Sequence, residues 1–330
     1  MAVGSGIGAS IGVAAETTFG TYVAPTRFFE ARSFNVKKVQ NVQPLTGIAA
    51  GRPAAAEEVV TTTAATGNMQ ADVTRKGFGL LLAHLMGSST TPVQQGATAA
   101  YLQTHAFGDN FGKSLTMQAG LPNTAGTVLP MTSLGSKITS GEFSCGVDEL
   151  LQSTFEFDGR AFTDAQSLSA PSYTAGNTPF HFGEMSLKLG TYGAEAVVQG
   201  VRKVTVNIAR GQATDRFYGG NAGLKSEPIW NEYAAITGSV EIDLVNKADF
   251  IDRYTGHTST SLVWEFVGPT AIASTFFPTF RITCPKVYFG GDIPEVGGPD
   301  VLKATIPFAA FFDTTNGLAT ASYMSTDTAL

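Results

Sequence analysis

Residues 148–159, DELLQSTFEFDG, carry the pattern that decides the fold class. Apolar and polar side chains alternate along this stretch, with one face formed by Leu151, Phe155 and Phe157 and the other by Gln152, Thr154 and Glu156. Successive side chains of a β-strand point to opposite sides of the sheet, so the alternation predicts a half-buried strand. The same period recurs in residues 69–74, 114–119, 202–211, 238–246 and 301–313.

The last of these stretches is expected to place on one buried face Leu302, Ala304, Ile306, Phe308 and Phe312. Connectors such as GLPNTAGT supply the glycine, proline and asparagine residues that tight turns need. The chain is therefore predicted to be a mostly antiparallel β protein.

Two segments depart from this pattern and predict short helices, at about residues 76–86 and 247–255. Their apolar residues are spaced to share one helix face, namely Phe78, Leu81, Leu82 and Leu85 in the first and Phe250, Ile251 and Tyr254 in the second. Gly87 is placed to end the first helix, and Asn246 is placed to cap the second. We interpret both helices as covers on a sheet.

Two strand-to-helix segments match without a gap: residues 67–76, GNMQADVTRK, and residues 238–247, GSVEIDLVNK. The identical positions are Gly67 with Gly238, Asp72 with Asp243, and Lys76 with Lys247. Each segment leads into the helix of its half, which indicates an internal duplication. Residues 27–37, RFFEARSFNVK, also resemble residues 181–190, HFGEMSLKLG. A chance match between short β patterns is the alternative explanation.

The duplication predicts a division of the chain into four parts. These are an N-terminal arm over residues 1–20, a first β domain over 21–166, a linker over 167–178 and a second β domain over 179–330. The linker, SLSAPSYTAGNT, is rich in small and turn-forming residues.

Composition excludes several classes of protein. Charged residues make up 15% of the chain, compared with roughly 25% in an average soluble domain, and the formal net charge is −6. Scarce charge is compatible with a surface that copies of the chain cover in an assembly, and the acidic balance disfavours a general nucleic-acid-binding face. No apolar run is long enough to span a membrane, and the chain opens without a basic segment of the kind that begins a secretion signal.

The glycines of GSGIGASIG, residues 4–12, raise the possibility of a phosphate-binding loop. A dinucleotide fingerprint needs a strand before it and a helix after it, and the spacing of Gly6, Gly8 and Gly12 is one residue off. We therefore expect no cofactor here and interpret the segment as a flexible arm.

The same segment carries a family resemblance. GIGASIGVAAETTFGTYVAPTRFFE, residues 6–30, resembles the N-terminal signature of the major tail tube proteins of long-tailed (siphovirus-type) bacteriophages, with matching positions at Gly8, Ser10, Gly12, Ala14, Glu16, Thr18, Gly20 and Thr21. Residues 90–160, which end in Phe-Asp-Gly-Arg, also resemble that family, and the second half of the chain does so more loosely.

The resemblance implies a virion structural protein with an antiparallel β-sandwich or barrel-like tail-tube fold and a short flanking helix. Its copies would be assembled in the host cytoplasm into stacked rings, which form the hollow tube through which double-stranded DNA passes. Tape-measure, tail-tip and tail-terminator proteins are the implied partners. If each half is one tube domain, three chains form a ring with pseudo-sixfold symmetry, which we favour; six chains per ring is the alternative.

Two segments are the candidates for contacts between copies. The loop Pro44–Val60, rich in glycine and alanine, would reach the neighbouring ring through Gly47, Arg52, Pro53, Glu57 and Glu58. The N-terminal arm would dock on a neighbour through Gly8, Gly12, Glu16 and Gly20. The alternatives are an ordinary mobile loop and a solvated Glu57–Glu58 charge pair.

No pattern of residues in the sequence points clearly to catalysis. Glu142 with Glu156, or Asp148 with Glu149, would be the carboxylate pair of a glycosidase. The four histidines are scattered, and Cys145 and Cys284 lack the spacing of a metal site, so we interpret the cysteines as small buried hydrophobes. We predict neither an enzyme nor a bound metal.

The remaining alternative is an adhesive or carbohydrate-binding β-sandwich on a virion or cell surface. Its aromatic platform would be built from Tyr101, Tyr173, Tyr192, Trp230 and Trp264. Trp264 shares a face with Leu262 and Phe266, which favours burial for that residue instead.

Overall fold

The computed structural model describes residues 3–48, 50–123, 125–291, 298–299 and 301–330. Strands dominate this part of the chain, and they pair in antiparallel fashion into large sheets, so the predicted fold class is confirmed. None of the described helices is long and apolar enough to cross a membrane.

The first half of the chain contains β1 (Ser10–Glu16), β2 (Arg27–Phe28), β3 (Ala31–Pro44), β4 (Glu58–Asp72), α1 (Gly79–Met86), β5 (Gly87–Ser89), β6 (Val93–Gln94), β7 (Tyr101–Phe107), β8 (Ser114–Pro122), β9 (Val128–Gly146), β10 (Gln152–Gly159) and β11 (Ala161–Thr163). The second half begins with a 3-10 turn (Phe182–Glu184) and contains β12 (Met185–Thr191), β13 (Ala194–Val197), β14 (Val201–Ala209), β15 (Gln212–Ala213), β16 (Ile229–Trp230), β17 (Ala235–Asp243), α2 (Ile251–Thr255), β18 (Thr260–Val267), β19 (Thr279–Phe289), β20 (Lys303–Ala310) and β21 (Thr320–Ser325).

The strand pairings of the first half recur in the second. In the first half, β1 pairs with β2 and β8, β8 with β9, β9 with β10 and β11, and β10 with β4, which pairs with β3. In the second half, β12 pairs with β13 and β18, β18 with β19, β19 with β20 and β21, and β20 with β17, which pairs with β14. These strands also follow one another in the same order, with one helix after β4 and one after β17, whereas β5, β6 and β7 of the first half and β15 and β16 of the second have no counterpart among the described elements.

The irregularities in the ladders recur as well. The β3–β4 register shifts between Ala31 and Ser33, and the β14–β17 register shifts between Val201 and Lys203, at the corresponding place. A second shift lies in β8 between Leu115 and Met117, and its counterpart lies in β18 between Thr260 and Leu262. Bulges bend a strand at a defined point, so the two halves bend in the same places.

The match between residues 27–37 and 181–190, expected from the sequence, is wrong. Residues 185–191 form β12, which pairs with β18 and β13 as β1 pairs with β8 and β2. The counterpart of β12 is therefore β1, whereas residues 31–44 form β3, whose counterpart is β14. Short alternating strands resemble one another in sequence, and the hydrogen-bonding partners distinguish them.

Two ladders and one continuous core join the halves, since β7 pairs with β21 and β9 pairs with β14. The end of β9, Ser140–Gly146, pairs with Lys203–Ala209 of β14, so the sheet runs without interruption in the order β3, β4, β10, β9, β14, β17, β20. Phe143 of the first half contacts Phe280 of the second at a ring-centroid distance of 5.4 Å, and apolar side chains of both halves belong to one buried cluster. Because the folded halves share one interior, the predicted division into two domains stays a prediction about how the sequence arose by duplication.

Both helices are shorter than the sequence pattern predicts. α1 begins at Gly79, because Gly77 adopts a positive φ of 78°, and it ends before Gly87, whose φ is 93°. All eight of its residues are buried, so it lies inside the fold. α2 begins at Ile251, and the predicted cap at Asn246 is wrong: its side chain accepts a hydrogen bond from the Ala248 N–H in the turn before the helix (3.0 Å), and Phe250 precedes the helix without a side-chain cap.

The segments expected to be an arm and a linker are packed against the first half. Residues 10–16 of the predicted arm form the buried strand β1, so the flexible-arm interpretation is wrong for these residues. In the predicted linker, the Ser169 N–H donates to the side chain of Gln118 (3.0 Å), and the Asn177 side chain accepts from the Lys76 N–H (3.0 Å).

The expected face of the last long strand is only half-buried at Leu302 and Ala304, is buried at its centre and is exposed at its end. Ile306 and Phe308 are buried, as the alternation predicts. Phe312, however, is 66% exposed, because β20 ends at Ala310 and the alternation stops there.

Candidate assembly surfaces

A long hairpin extends from the edge of the sheet. β10 pairs with β4 only over Ala65–Asp72, so the outer parts of β3 and β4 pair with each other alone among the described strands. This two-stranded extension exposes a set of large apolar side chains, namely Val39, Val42, Leu45, Ile48, Val59 and Val60. Scattered exposed apolar residues are ordinary, but a cluster of this kind on one arm is typical of an interaction surface.

The candidate residues of the Pro44–Val60 segment lie at the tip of this hairpin. The Arg52 guanidinium donates to the Gly47 carbonyl (2.7 Å), and the Leu45 N–H donates to the Glu57 carbonyl (2.8 Å). Pro53, Glu57 and Glu58 are exposed along with them. The structure brings these five candidates together on one projecting loop.

Glu16, in contrast, is buried at the end of β1. Its carboxylate accepts hydrogen bonds from the hydroxyls of Ser114 (2.6 Å) and Thr116 (3.0 Å) and from the N–H groups of Gly20 (2.8 Å) and Gly135 (2.8 Å). A buried carboxylate needs such a set of donors to offset its desolvation. Glu16 therefore ties β1 to β8 and to the chain around Gly135, and its side chain is used within the molecule.

Gly12 and Gly20 are also used within the molecule. A Cβ at Gly12 would lie 2.6 Å from Cβ of Pro25, and a Cβ at Gly20 would lie 2.6 Å from Cδ of Arg160. The Arg160 guanidinium lies 5.8 Å from the centre of the Phe19 ring, which it faces. The signature at the chain start thus meets the Phe-Asp-Gly-Arg stretch at the end of β10, and both are parts of one packed corner.

Of the candidates near the chain start, Gly8 alone is exposed. It has a φ of 86°, and a Cβ there would lie 3.7 Å from Pro122. The Ser5 N–H donates to the Pro122 carbonyl (3.0 Å), so this stretch lies along the end of β8.

The central sheet has a polar face opposite to the core. One row across it, set by the strand registers, consists of Gln70, Thr154, Glu142, Asn207 and Thr237. The next row consists of Asp72, Gln152, Ser144, Thr205 and Ser239. Hydroxyl and amide side chains dominate both rows, and we call this surface the polar face.

The carboxylates considered for catalysis belong to this polar face. Glu142 and Glu156 lie on adjacent strands, are both exposed, and border a small open depression with Ser140, Thr154 and Asn207. Both carboxylates are open to solvent on this face.

The histidines and cysteines have structural surroundings. Burial lowers the pKa of His84 and of His105 to about 4, and it raises the pKa of Cys145 and of Cys284 to about 12. His181 accepts from the Gly183 N–H (3.1 Å), and His257 stacks on Tyr288. Among the described residues, no group of three or more His, Cys, Asp or Glu side chains is arranged to hold a metal ion.

A loop of the second half covers part of the first. In residues 214–228, which we call the covering loop, Lys225 forms a buried ion pair with Asp158, and Asn221 accepts from Arg160 (3.3 Å). The Thr63 N–H donates to the Gly223 carbonyl (2.9 Å), and Glu227 pairs with Lys137. Burial raises the pKa of Asp158, and Lys225 opposes that rise.

The corresponding part of the second half is an open apolar cleft. Its volume is about 820 Å³, and its walls include Phe107, Trp230, Tyr233, Phe311 and Phe312. Tyr233 is fully exposed, and Phe311 is 50% exposed. We call this surface the aromatic cleft.

Sequence reasoning named Trp230 of the cleft, within a proposed aromatic platform, and Phe312, which it expected on a buried strand face. The platform does not form, because Trp264 is completely buried beside Phe266 and the other members are not brought together with it. The Phe-Phe pair at residues 311–312 was the available signal, since a strand that alternates cannot bury two consecutive aromatic side chains on one face.

No curated protein matches the chain in sequence. A family model described as phage tail tube protein matches residues 6–310, which is nearly the whole chain and includes the packed corner, the hairpin, the polar face and most of the aromatic cleft. The chain therefore belongs to the phage tail tube protein family.

Proposed function

We propose that the protein assembles into rings that stack as the hollow tube of a phage tail, and that genomic DNA passes through this tube. Membership of the family makes the protein a structural component of a phage tail. The observation that carries the ring is the recurrence of one strand arrangement in both halves, joined through β9 and β14. Closed rings are built when the same contact recurs between successive units, so the contact between the halves is the one that would recur between chains.

The joint between chains would copy the joint within the chain. β3 holds the place in the first half that β14 holds in the second, and among the described strands β3 pairs with β4 alone. An unpaired edge is a template for another strand, so β3 would pair with a neighbouring chain as β14 pairs with β9. Three chains would then supply six strand sets, with pseudo-sixfold symmetry.

The polar face would line the channel. Its exposed carboxylates, Glu142, Glu156 and Glu241, share the sign of the DNA backbone, its hydroxyl and amide groups carry no charge, and Lys203 lies directly opposite Glu241. Tight DNA binding requires clustered cations that release counterions, so this surface would let DNA slide without holding it. We assign the face no catalytic role.

The hairpin tip and the residues around Gly8 are the proposed contacts with other tail components. Along the tube these contacts would be made with other copies of the chain. At the two ends of the tube they would be made with the tape-measure, tail-tip and tail-terminator proteins. We further propose that assembly takes place in the host cytoplasm before the tail joins the virion.

Negative-stain electron microscopy of the concentrated recombinant chain, with native mass spectrometry of the same sample, tests this proposal. We expect rings or hollow tubes, with a ring mass of three chains. A ring mass of six chains would retain the tube and reject the duplicated-domain arrangement.

The second candidate is a glycan-binding module, and the exposed aromatic side chains of the cleft are what favours it. A chain that stays monomeric at high concentration and binds on a glycan array would support it over the tube.

A further inference from the structure

The two halves differ in what covers the end of their sheets. Because Phe157 faces Gly67 and Phe308 faces Gly238, the residues that follow them also correspond: Asp158 with Ala309, and Arg160 with Phe311. In the first half this position is covered by the covering loop. In the second half, no segment of the described chain closes the corresponding aromatic cleft.

The loop that corresponds to the covering loop is the hairpin tip. The covering loop follows β14 and β15 and leads through β16 into β17, whereas residues 45–57 follow β3 and lead into β4. The structure describes 45–48 and 50–57 of this tip. The two loops therefore leave corresponding strands of the repeat, and they are of similar length.

Each loop also matches one surface in chemistry. The covering loop brings Asn221, Lys225 and Glu227 to a surface that presents Arg160, Asp158 and Lys137. The hairpin tip instead carries Leu45, a fully exposed Ile48 and several alanines, and the surface without a cover is aromatic. The polar groups of the covering loop find hydrogen-bonding and ionic partners on the first half. The apolar side chains of the hairpin tip would be removed from water by contact with the aromatic cleft.

The direction of the loops identifies the partner. The covering loop starts beyond β14 and reaches across β9 to β10 and β4. A loop that leaves β3 in the same direction reaches past the edge of the described sheet, away from its own aromatic cleft. The partner that presents an aromatic cleft there is the second half of another copy.

We propose that the hairpin tip of one copy docks into the aromatic cleft of the next copy in the same ring, with Leu45 and Ile48 against Phe311 and Phe312. This inference rests on the proposed ring, and it goes further by assigning the tip to a contact around the ring. In each ring, every sheet end would then be covered, in the first halves by polar contacts within a chain and in the second halves by apolar contacts between chains.

Cysteine cross-linking of the full chain tests the docking. The variant Ile48→Cys, Phe312→Cys is assembled and treated with a short bis-maleimide, and denaturing gels then count the linked chains. Cys145 and Cys284 are buried and stay out of the reaction in the folded chain. We expect a ladder that stops at the number of chains in one ring, as measured by native mass spectrometry.

The matched control is Ile48→Cys, Val245→Cys. Val245 is 65% exposed and follows the far end of β17, whereas the cleft lies at the start of that strand. At about 3.3 Å per residue the two ends of β17 are too far apart for one loop tip to reach both, so we expect no cross-link.

Three results would overturn the docking. One is assembled tubes without cross-links in the Phe312 variant, and another is equal cross-linking in the Val245 control. The third is a ladder that continues beyond one ring, which would place the tip on the next ring. Ring formation by the unmodified chain is tested before the cross-linking, because its failure would reject the proposed function and not the docking alone.

Discussion

Gly67 and Gly238 hold the same position in the two halves of the chain, and an aromatic ring occupies the space above each. A Cβ at Gly67 would lie 2.5 Å from Cζ of Phe157, and a Cβ at Gly238 would lie 2.5 Å from Cζ of Phe308. Each would also lie close to a backbone oxygen of the neighbouring strand, at 1.9 Å from Asn35 and at 2.1 Å from Thr205. Glycine is required at both positions because the ring and the strand leave no room for a side chain.

We expect Gly67→Ala and Gly238→Ala each to lower the free energy of unfolding by about 1–3 kcal/mol, or more where the backbone cannot shift, since both overpack the sheet. Urea unfolding of the unassembled chain measures this loss. Gly219→Ala is the control, because a Cβ there meets no atom within 4 Å and no positive φ is required. Similar stability of all three variants would contradict the close packing of the rings on these glycines.

Glu16→Gln is expected to destabilise the chain, although the glutamine side chain has nearly the same shape as glutamate. The carboxylate accepts from four donors, and either orientation of an amide would turn its NH2 group toward a backbone N–H, of Gly20 or of Gly135. Hydrogen bonds to a charged group contribute about 1.5–3 kcal/mol each, so we expect a loss of at least about 2 kcal/mol in urea unfolding. Glu156→Gln, on the exposed polar face, is the matched control and should change stability by less than about 0.5 kcal/mol.

The buried pair Lys225–Asp158 is expected to be strongly coupled. Lys225→Met leaves the Asp158 carboxylate buried without its partner, at a cost of about 3 kcal/mol. Asp158→Ala copies the alanine that stands at position 309 of the second half, and the double variant should be clearly more stable than the sum of the single losses predicts.

The exposed pair Arg202–Asp243 provides the control for this cycle. Its two side chains are 44% and 31% exposed, so Arg202→Met should cost less than about 1 kcal/mol. Strictly additive losses at Lys225 and Asp158 would mean that the covering loop does not hold the first half through this pair.

Stability is expected to fall as the pH is lowered from about 6.5 to 4. Burial lowers the pKa of His84 and of His105 to about 4, whereas both titrate near 6.5 in the unfolded chain. In this range the unfolded chain binds more protons than the folded one, so the free energy of unfolding decreases with falling pH, by up to about 3 kcal/mol per histidine.

Urea unfolding of the unassembled chain between pH 4 and 8 measures this dependence. His105→Gln should remove about half of the slope below pH 6.5 and leave the slope between pH 7 and 8 unchanged. An unchanged slope below pH 6.5 would assign the acid sensitivity to other groups.

The sequence by itself determined the features that depend only on residues close together along the chain. Period-two alternation at residues 152–157 predicts a strand whatever its partner is, because side chains alternate along any extended backbone. The strand-to-helix repeat that begins at Gly67 and Gly238 was visible for the same reason, since each copy lies within ten consecutive residues. The placement of the hairpin tip in an exposed loop likewise followed from local composition.

Only the tertiary structure decided which strands correspond, what the signature residues do, and where an uncovered surface lies. The match of β12 to β1 is seen only from its hydrogen bonds to β18, a strand about seventy residues away. The Glu16 carboxylate accepts hydrogen bonds from donors in β8 and at Gly135, which lie far from it in the sequence. The aromatic cleft exists because β20 ends at Ala310 and leaves Phe311 and Phe312 outside the ladder. Register and strand ends are set by pairing between distant segments, and a pattern read along one segment does not contain them.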